Sequence, residues 1–237
     1  MPRFFLPPES WNEAALTGDE ARHASQVLRL QPGHEITVFD GKGRRALAGI
    51  LRVSRDRVDL RLGEHRPSPA AGAPITLVQA IPKGKNMDLV VQKAVELGVS
   101  AIIPVITRNT VVQPGEGKAE KWRRTALEAC KQCGQDTLPE ISDPLPFPQS
   151  LAALRSSPGL KIIASLAEGA LPIKQILRAA PPATAATLLV GPEGDFTPAE
   201  TASALDAGFQ PVTLGRIVLR VETATLFCLS ALRYEFG

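Results

Sequence analysis

The stretch LLVGPEGDFTPAE, residues 188–200, places two glycines, a proline and two carboxylates directly after an apolar run. Its last part, TPAE at 197–200, has the pattern of a helix N-cap, a proline at the first helical position and a capping-box glutamate. An apolar strand, a glycine-containing loop and a helix start are typical of a β–α connection in a parallel α/β sheet. From its residues alone, the loop Gly191–Phe196 is either an ordinary turn or the wall of a ligand site, since glycine lets a backbone approach a ligand closely.

The same alternation of apolar runs and amphipathic stretches extends through the second half of the chain. Apolar residues spaced three or four apart predict helices, and short continuous apolar runs predict strands. The predicted strands are 75–81, 101–106, 160–166, 186–190 and 211–214, and the predicted helices are 87–97, 116–133, 200–207 and 222–236. Ligands bind open α/β sheets outside the carboxyl ends of the strands. The loops that leave strands in this half are 167–170, 191–196 and 214–220.

The first 70 residues have a different pattern, with short β-type runs separated by polar turns. Strands are predicted at 36–39, 46–53 and 58–62, and one helix at 19–28, capped by Thr17 or Asp19. The segment HRPSPAAGAP, residues 65–74, is rich in proline, alanine and glycine and is the predicted linker. The chain is therefore expected to hold a small β-barrel-like module followed by a larger α/β domain.

The distribution of charge is compatible with binding to a polyanion. Among the 237 residues, 44% are hydrophobic and 22% charged, and the net charge is only +3. Residues 41–66 nevertheless hold eight lysines and arginines against three acids, which suits either a nucleic acid or a solvated sheet face. No apolar stretch reaches the length of a membrane span, and the N-terminus lacks the apolar core of a signal peptide. We therefore expect a cytoplasmic protein.

Several common catalytic arrangements are not expected. Cys130 and Cys133 form a C-x-x-C at the predicted end of a helix, where the helix dipole disfavours a thiolate. These two cysteines and Cys228 are expected to be buried and unreactive, as free cysteines usually are. The three histidines all fall within the first 65 residues, away from the α/β half, so neither a histidine-based triad nor a zinc site is expected. The dinucleotide fingerprint and the P-loop are both missing.

Taken together, motifs along nearly the whole chain resemble the RsmE-type ribosomal RNA uridine-N3 methyltransferases of the SPOUT superfamily. In the second half, GPEG at 191–194, LG at 214–215 and VLRVETA at 218–224 carry the resemblance. Earlier motifs with the same resemblance are Arg3-Phe4-Phe5, His23, Val27-Leu28-Arg29, Gly33, Lys83-Gly84-Lys85, Asp88, Gln92-Lys93-Ala94, Glu96-Leu97-Gly98-Val99, Glu128-Ala129, Gln132, Gly134 and Leu138-Pro139-Glu140-Ile141.

This resemblance implies a fold, a cofactor and partners. It implies an α/β fold with a PUA-like RNA-binding β-barrel at 1–70 and a SPOUT methyltransferase domain at 74–237, whose parallel sheet ends in a C-terminal trefoil knot. It also implies S-adenosylmethionine as cofactor and a homodimer through the SPOUT domain. The implied substrate is N3 of a uridine in 16S ribosomal RNA of the small subunit, and no membrane or metal is implied.

For such an enzyme, the chemistry of the side chains suggests candidate residues for the site. Arg220 is expected to stabilise the deprotonated uracil, and Glu222 to orient Arg220 or accept a proton, unless it is only an acid at a helix N-terminus. Asp195 and Glu193 are weaker candidates for the base. The residues expected to hold the cofactor are Leu166, Gly191, Glu193, Gly194, Leu214, Gly215, Ile217 and Leu219. The residues expected to contact RNA are Arg3, Arg22, Arg29, Lys42, Arg44, Arg45 and Lys83.

Three positions depart from the family pattern. The family usually has glycine at the position of Asp195 and arginine after the position of Gly134, where Gln135 and Asp136 stand here. Ile217 stands where the family's LG-x-R motif has its first arginine. At these three places, contacts to RNA or the target base are expected to differ from those of the family. Two alternatives also stay open: ribose 2′-O-methylation on the same scaffold, and a non-catalytic RNA-binding or ribosome-assembly protein.

Overall fold

The computed structural model describes residues 1–68, 72–181 and 184–237. The chain forms two compact units, Met1–Ala70 with Leu127–Leu138, and Ala71–Ala126 with Pro139–Gly237. Residues 127–138, which the sequence pattern assigns to the α/β domain, thus group with the N-terminal residues.

The N-terminal unit is built on a five-stranded sheet with the order β1-β3-β4-β5-β2. The pair β1–β3 is parallel and the other pairs are antiparallel. Its elements are β1 (Arg3–Phe5), β2 (Ala15–Thr17), α1 (Gly18–Arg22), β3 (Glu35–Phe39), β4 (Arg44–Val53) and β5 (Arg57–Pro67). A π-helical turn at His23–Val27 continues α1, so the helix predicted at 19–28 is present but ends in a wider turn. Thr17 is its N-cap residue, without a side-chain capping bond.

The core of this unit comes from strand alternation. Ile36, Val38 and Ile50 point inward and are almost fully buried, together with Phe4 and Trp11. The Trp11 indole N–H donates to the carbonyl oxygen of Leu6 at 2.7 Å, so its polar atom is satisfied inside the core. Burial of these side chains supplies the main stabilisation of a sheet that has a solvent-facing side.

The predicted linker at 65–74 begins too early. Strand β5 continues to Pro67, because His65, Arg66 and Pro67 pair with Ala46, Arg45 and Arg44 of β4. Cross-strand pairing thus overrides a proline-containing composition that favours a loop. Residues 69–71 of that segment lie outside the described part of the chain.

The second unit holds a sheet of eight strands, all paired in parallel. Their order is β11-β13-β10-β12-β6-β7-β8, and β9 also pairs with β7. The elements from residue 75 onward are β6 (Ile75–Ala80), α2 (Asn86–Glu96), β7 (Ala101–Ile106), α3 (Lys118–Cys133), β8 (Glu140–Ile141), β9 (Leu145–Pro146), α4 (Phe147–Leu154), β10 (Leu160–Ala164), β11 (Leu171–Pro172), α5 (Ile173–Ala179), β12 (Ala186–Val190), α6 (Pro198–Asp206), β13 (Gln210–Thr213) and α7 (Val221–Phe236). Helix α3 begins in the second unit, and its residues from Leu127 onward group with the N-terminal unit. All five residues of β12 are buried, as expected for a central parallel strand.

The predicted capping box of α6 is confirmed, and the end of α2 also has a local signal. The Thr197 hydroxyl accepts from the Glu200 backbone N–H, and the Glu200 carboxylate accepts from the Thr197 N–H, which completes the capping box that starts α6. Helix α2 ends at Gly98 with a φ of +72°, where the Gly98 N–H bonds to Val95 and the Val99 N–H to Ala94. This pair of bonds is a Schellman motif, and its left-handed position favours glycine.

The cysteine prediction is right for two residues and wrong for one. Cys130 and Cys228 are buried, and burial raises the pKa of each thiol to about 12. Cys133 is exposed, because the last turn of α3 presents it to solvent. Within the described ranges, no helix is long and apolar enough to cross a membrane.

Candidate active site

A cavity of about 470 Å³ lies at the carboxyl ends of three neighbouring strands of the second unit. Strands β13, β10 and β12 are adjacent and parallel, so the loops that follow them emerge at the same edge. The N-terminal residues of α7 complete the lining. The volume falls within the range of about 300–1,000 Å³ that is usual for small-molecule sites.

The loop after β12 has a fixed conformation. The Asp195 N–H donates to the Pro192 carbonyl at 2.9 Å, which closes a turn, and Asp195 itself has a φ of +54°. This left-handed region favours glycine, and aspartate is among the few other residues that tolerate it. Asp195 Oδ1 accepts from the Phe196 N–H at 2.8 Å, and the Phe196 ring packs on Phe147 with centroids 5.3 Å apart.

Gly191 packs closely against other residues of this loop. A Cβ at Gly191 would lie 3.1 Å from Asp195 Oδ1 and 3.1 Å from the Phe196 ring. A side chain at Gly191 would therefore push on the Asp195 carboxylate and the Phe196 ring, and glycine avoids this crowding in the cavity wall. Pro192, which follows, fixes its own φ and stiffens the turn.

The rim of the cavity is unusually apolar for an exposed surface. Leu166 is 66% exposed, Ile217 is 78% exposed and Val218 is 70% exposed, and all three line the cavity. Large apolar side chains left open around a concave site suit a flat apolar ligand such as a nucleobase.

Seven of the eight residues predicted to hold the cofactor line this one cavity. They are Leu166, Gly191, Glu193, Leu214, Gly215, Ile217 and Leu219. The eighth, Gly194, is not part of the lining but faces Asn109, whose amide donates to the carbonyl oxygens of Gly194 and Asp195 at 2.9 Å each. Glu193 lines the cavity, and its Oε1 accepts from the Lys83 backbone N–H at 2.8 Å.

The two residues predicted to be catalytic, Arg220 and Glu222, also line the cavity. Arg220 is the exposed N-cap residue of α7. Glu222, in the first turn of α7, accepts from the Asn86 amide at 3.4 Å. Among the residues that the structure describes, no ion pair joins Glu222 to Arg220.

Most arginines predicted to contact RNA are engaged within the N-terminal unit. Arg3, whose side chain is only 16% exposed, bonds to the buried Asp136 at 2.7 Å, and Arg45 lies 3.5 Å from the same carboxylate. Arg44 pairs with Asp40 at 3.1 Å and lies over the Trp11 ring at 3.9 Å.

The remaining predicted RNA contacts are exposed. Arg22 pairs with Asp19 at 3.0 Å on the surface. Arg29 and Lys42 of the N-terminal unit, and Lys83 of the second unit, are exposed and make no ion pair in the described part of the chain.

Sequence patterns missed the residues that support this site from outside the loops. Asn86 holds Glu222, and Asn109 holds the loop after β12, although both are distant in sequence from their partners. The buried Gln79 of β6 accepts from the Thr225 hydroxyl of α7 at 2.7 Å. Of these residues, only Gln79 could have been noticed in the sequence. A polar amide within an apolar strand indicates a buried hydrogen bond, because a buried amide needs a partner.

Comparison with known families covers most of the chain. A family model described as an RNA methyltransferase domain matches residues 69–233, and a model described as an RNA methyltransferase PUA domain matches residues 16–63. The ribosomal RNA small subunit methyltransferase E of Synechocystis is 31% identical over 232 residues, covering 96% of this chain and 76% of that protein.

Solved structures agree with this match. The ribosomal RNA small subunit methyltransferase E of Neisseria gonorrhoeae, bound to S-adenosyl methionine, is 34% identical with a TM-score of 0.86, covering 100% of this chain and 98% of that one. A Legionella pneumophila protein in complex with the bound cofactor SAM is 31% identical with a TM-score of 0.87, covering 99% of this chain and 97% of that one.

Proposed function

The chain belongs to the ribosomal RNA small subunit methyltransferase E family, and from this premise we propose that it methylates N3 of a uridine in small-subunit ribosomal RNA with S-adenosylmethionine. The observation that carries the proposal is one cavity that contains seven predicted cofactor residues and both predicted catalytic residues. A ribosomal RNA substrate would place the protein in the cytoplasm.

The cavity fits the cofactor by its shape and its chemistry. The Gly191 wall, where a Cβ would meet Asp195 and Phe196, lets a ligand reach backbone N–H and C=O groups. The exposed apolar side chains of Leu166 and Ile217 suit the two faces of an adenine ring. When bound, the cofactor supplies an electrophilic methyl group on a positively charged sulfur.

Arg220 is the residue that we assign to the target base. Uridine N3 is nucleophilic only after its N–H proton leaves, and the negative charge then spreads to the neighbouring carbonyl oxygens. A guanidinium beside these oxygens favours the deprotonated form and holds the ring in fixed geometry. Arg220 is exposed at the cavity mouth, so a base that is flipped out of its stack can reach it.

Of the two roles expected for Glu222, the geometry favours that of proton acceptor. The Glu222 carboxylate accepts a hydrogen bond from the Asn86 amide. We therefore propose that Asn86 positions Glu222 towards the substrate, and that Glu222 does not orient Arg220. Glu222 lies in the first turn of α7. A fixed carboxylate at this place can accept the N3 proton, directly or through water.

RNA binding is proposed for the exposed cations Arg22, Arg29, Lys42 and Lys83. Phosphate contacts position a nucleic acid and make its affinity salt-dependent. Arg3, Arg44 and Arg45 are less available because each pairs with a buried aspartate, Asp136 or Asp40, whereas Asp19, the partner of Arg22, is exposed.

A homodimer through the second unit is also proposed. Helix α7 exposes Phe227 and Tyr234, and α2, which packs against α7, exposes Leu89. Tyr234 is 91% exposed, and aromatic side chains of this kind are enriched at protein interfaces.

Methyl transfer tests the cofactor and the chemistry together. Labelled S-adenosylmethionine is offered to naked small-subunit RNA and to assembled small subunits, with the wild type and Arg220→Ala. The expected product is 3-methyluridine, and Arg220→Ala should lower kcat by about 10²-fold or more while the variant still binds S-adenosylmethionine. An Arg220→Ala variant with full activity would remove Arg220 from the reaction.

A further inference from the structure

The cavity has an excess of negative charge. Four charged side chains line it: the acids Glu193, Asp195 and Glu222 and the base Arg220. Three carboxylates against one guanidinium make the interior favour a positively charged ligand, because a concave low-dielectric wall concentrates the field of its charges.

Two of these acids are engaged with other parts of the second unit. Glu193 accepts from the Lys83 backbone N–H, and Glu222 accepts from the Asn86 amide. The only bond to the Asp195 carboxylate in the described chain comes from its own neighbour, the Phe196 N–H at Oδ1. Asp195 therefore keeps a carboxylate oxygen without a protein donor beside the ligand space.

The position of this carboxylate is fixed. The turn from Pro192 to Asp195 and the φ of +54° set its backbone, and the Asn109 amide holds the carbonyl oxygens on the other side of the loop. Oδ1 lies 3.1 Å from the point where a Cβ on Gly191 would stand, so the carboxylate lies against the Gly191 backbone. It is half-buried, where a charge is screened less than on an open surface.

We propose that Asp195 makes the cavity select the sulfonium cofactor over the thioether product, and so favours product release after each methyl transfer. This inference rests on the proposed function. S-adenosylmethionine carries one more positive charge than S-adenosylhomocysteine, whereas the two molecules have nearly the same shape. A fixed negative charge in the wall therefore separates ligands that shape alone would bind about equally.

Calorimetry with the full chain tests this selection. The dissociation constants of S-adenosylmethionine and S-adenosylhomocysteine are measured at low salt for the wild type, Asp195→Asn and Asp195→Gly. Asparagine keeps an oxygen for the Phe196 N–H and removes only the charge. The preference for the sulfonium ligand should fall about fivefold in both variants, the scale of one partly screened charge–charge interaction. The effect should shrink at high salt.

Glu168→Gln is the matched control. Glu168 is exposed, follows β10 at the same edge of the sheet and is outside the cavity lining, so its loss changes net charge equally and should leave the preference unchanged. An unchanged preference in folded Asp195→Asn, or an equal fall in Glu168→Gln, would overturn the role of Asp195. A wild type that binds neither ligand would instead overturn the proposed function itself.

Discussion

Gly191 shows at the scale of one residue why the loop after β12 has its composition. The Asp195 carboxylate and the Phe196 ring occupy the space that a side chain at Gly191 would need. Gly191→Ala should therefore shift the loop, destabilise the fold by about 1–3 kcal/mol and weaken cofactor binding. Thermal unfolding and calorimetry measure the two effects.

Gly115→Ala is the control for this substitution. A Cβ at Gly115 meets no atom within 4 Å and the position needs no left-handed backbone. Its stability change should stay within about 0.5 kcal/mol. Equal changes in the two variants would show that crowding at Gly191 is not the reason for its glycine.

The cysteines allow a second test at this scale. A thiol reacts as its thiolate, and a pKa of about 12 keeps Cys130 and Cys228 protonated at every pH at which the protein is handled. Only Cys133 should react with a thiol reagent in the native state, and all three cysteines after unfolding. If Cys228 is labelled quickly in the native protein, it is not buried on the inner face of α7.

Contacts of a single residue could be predicted from the sequence where its partner is only a few positions away. The capping box of Thr197 and Glu200 and the Gly98 helix end need only neighbouring residues. Arg3 was predicted as an RNA contact because its partner Asp136, more than 130 positions away, cannot be read from the sequence. The same limit hid Asn86 and Asn109.

At the scale of elements, α7 is tied to β6 by one buried hydrogen bond. The Thr225 hydroxyl donates to Gln79 Oε1 at 2.7 Å, and both side chains are fully buried. Thr225→Val removes the donor with little change of shape and leaves the Gln79 oxygen unsatisfied. It should lower the free energy of unfolding by about 1–3 kcal/mol, measured by denaturant titration.

Thr125→Val tests whether the buried partner is the cause. The Thr225 hydroxyl also lies 2.9 Å from the carbonyl oxygen of Val221, four residues earlier. Thr125 on α3 makes the same kind of contact, donating to the carbonyl of Lys121, but on an exposed surface. Its substitution should change stability by no more than about 0.5 kcal/mol. If both variants lose equal stability, the Gln79 bond contributes nothing measurable.

Long periodic elements were predictable and short ones were not. Helices α2, α3 and α7 and strands β6, β7 and β12 lie within one or two residues of their predicted bounds. Strands β8, β9 and β11 have two residues each, too few for any periodicity. Helices α4 and α5 follow prolines directly, and they exist because their apolar faces pack on the unit's core.

At the scale of the molecule, the division into units changes how RNA binding must be tested. Residues 127–138 belong to the N-terminal unit, so a fragment cut at residue 70 would lack part of it. The full chain is therefore the right sample. The knot is a property of the whole chain path, so it was inferred from resemblance and not from local patterns.

RNA affinity of the full chain should fall steeply with salt. A combined Arg29→Gln and Lys42→Gln variant removes two exposed cations of the N-terminal unit. It should bind RNA about tenfold more weakly, and the slope of log affinity against log salt should fall in magnitude by about 1.5.

Arg57→Gln is the control, since Arg57 already pairs with Glu13 at 2.6 Å and Asp59 at 2.7 Å. These carboxylates raise its pKa, and its substitution should leave the slope unchanged. A double variant with wild-type affinity and slope would move the RNA surface away from Arg29 and Lys42.

In the proposed reaction, this chain transfers a methyl group from S-adenosylmethionine to N3 of a uridine in small-subunit RNA. The most direct measurement is digestion of the labelled RNA to nucleosides, followed by mass spectrometry. We expect label in 3-methyluridine, and labelling about 10²-fold slower or more when Arg220 is replaced by alanine. Label in a 2′-O-methyl nucleoside, or no transfer to either naked RNA or assembled subunits, would contradict the proposed reaction.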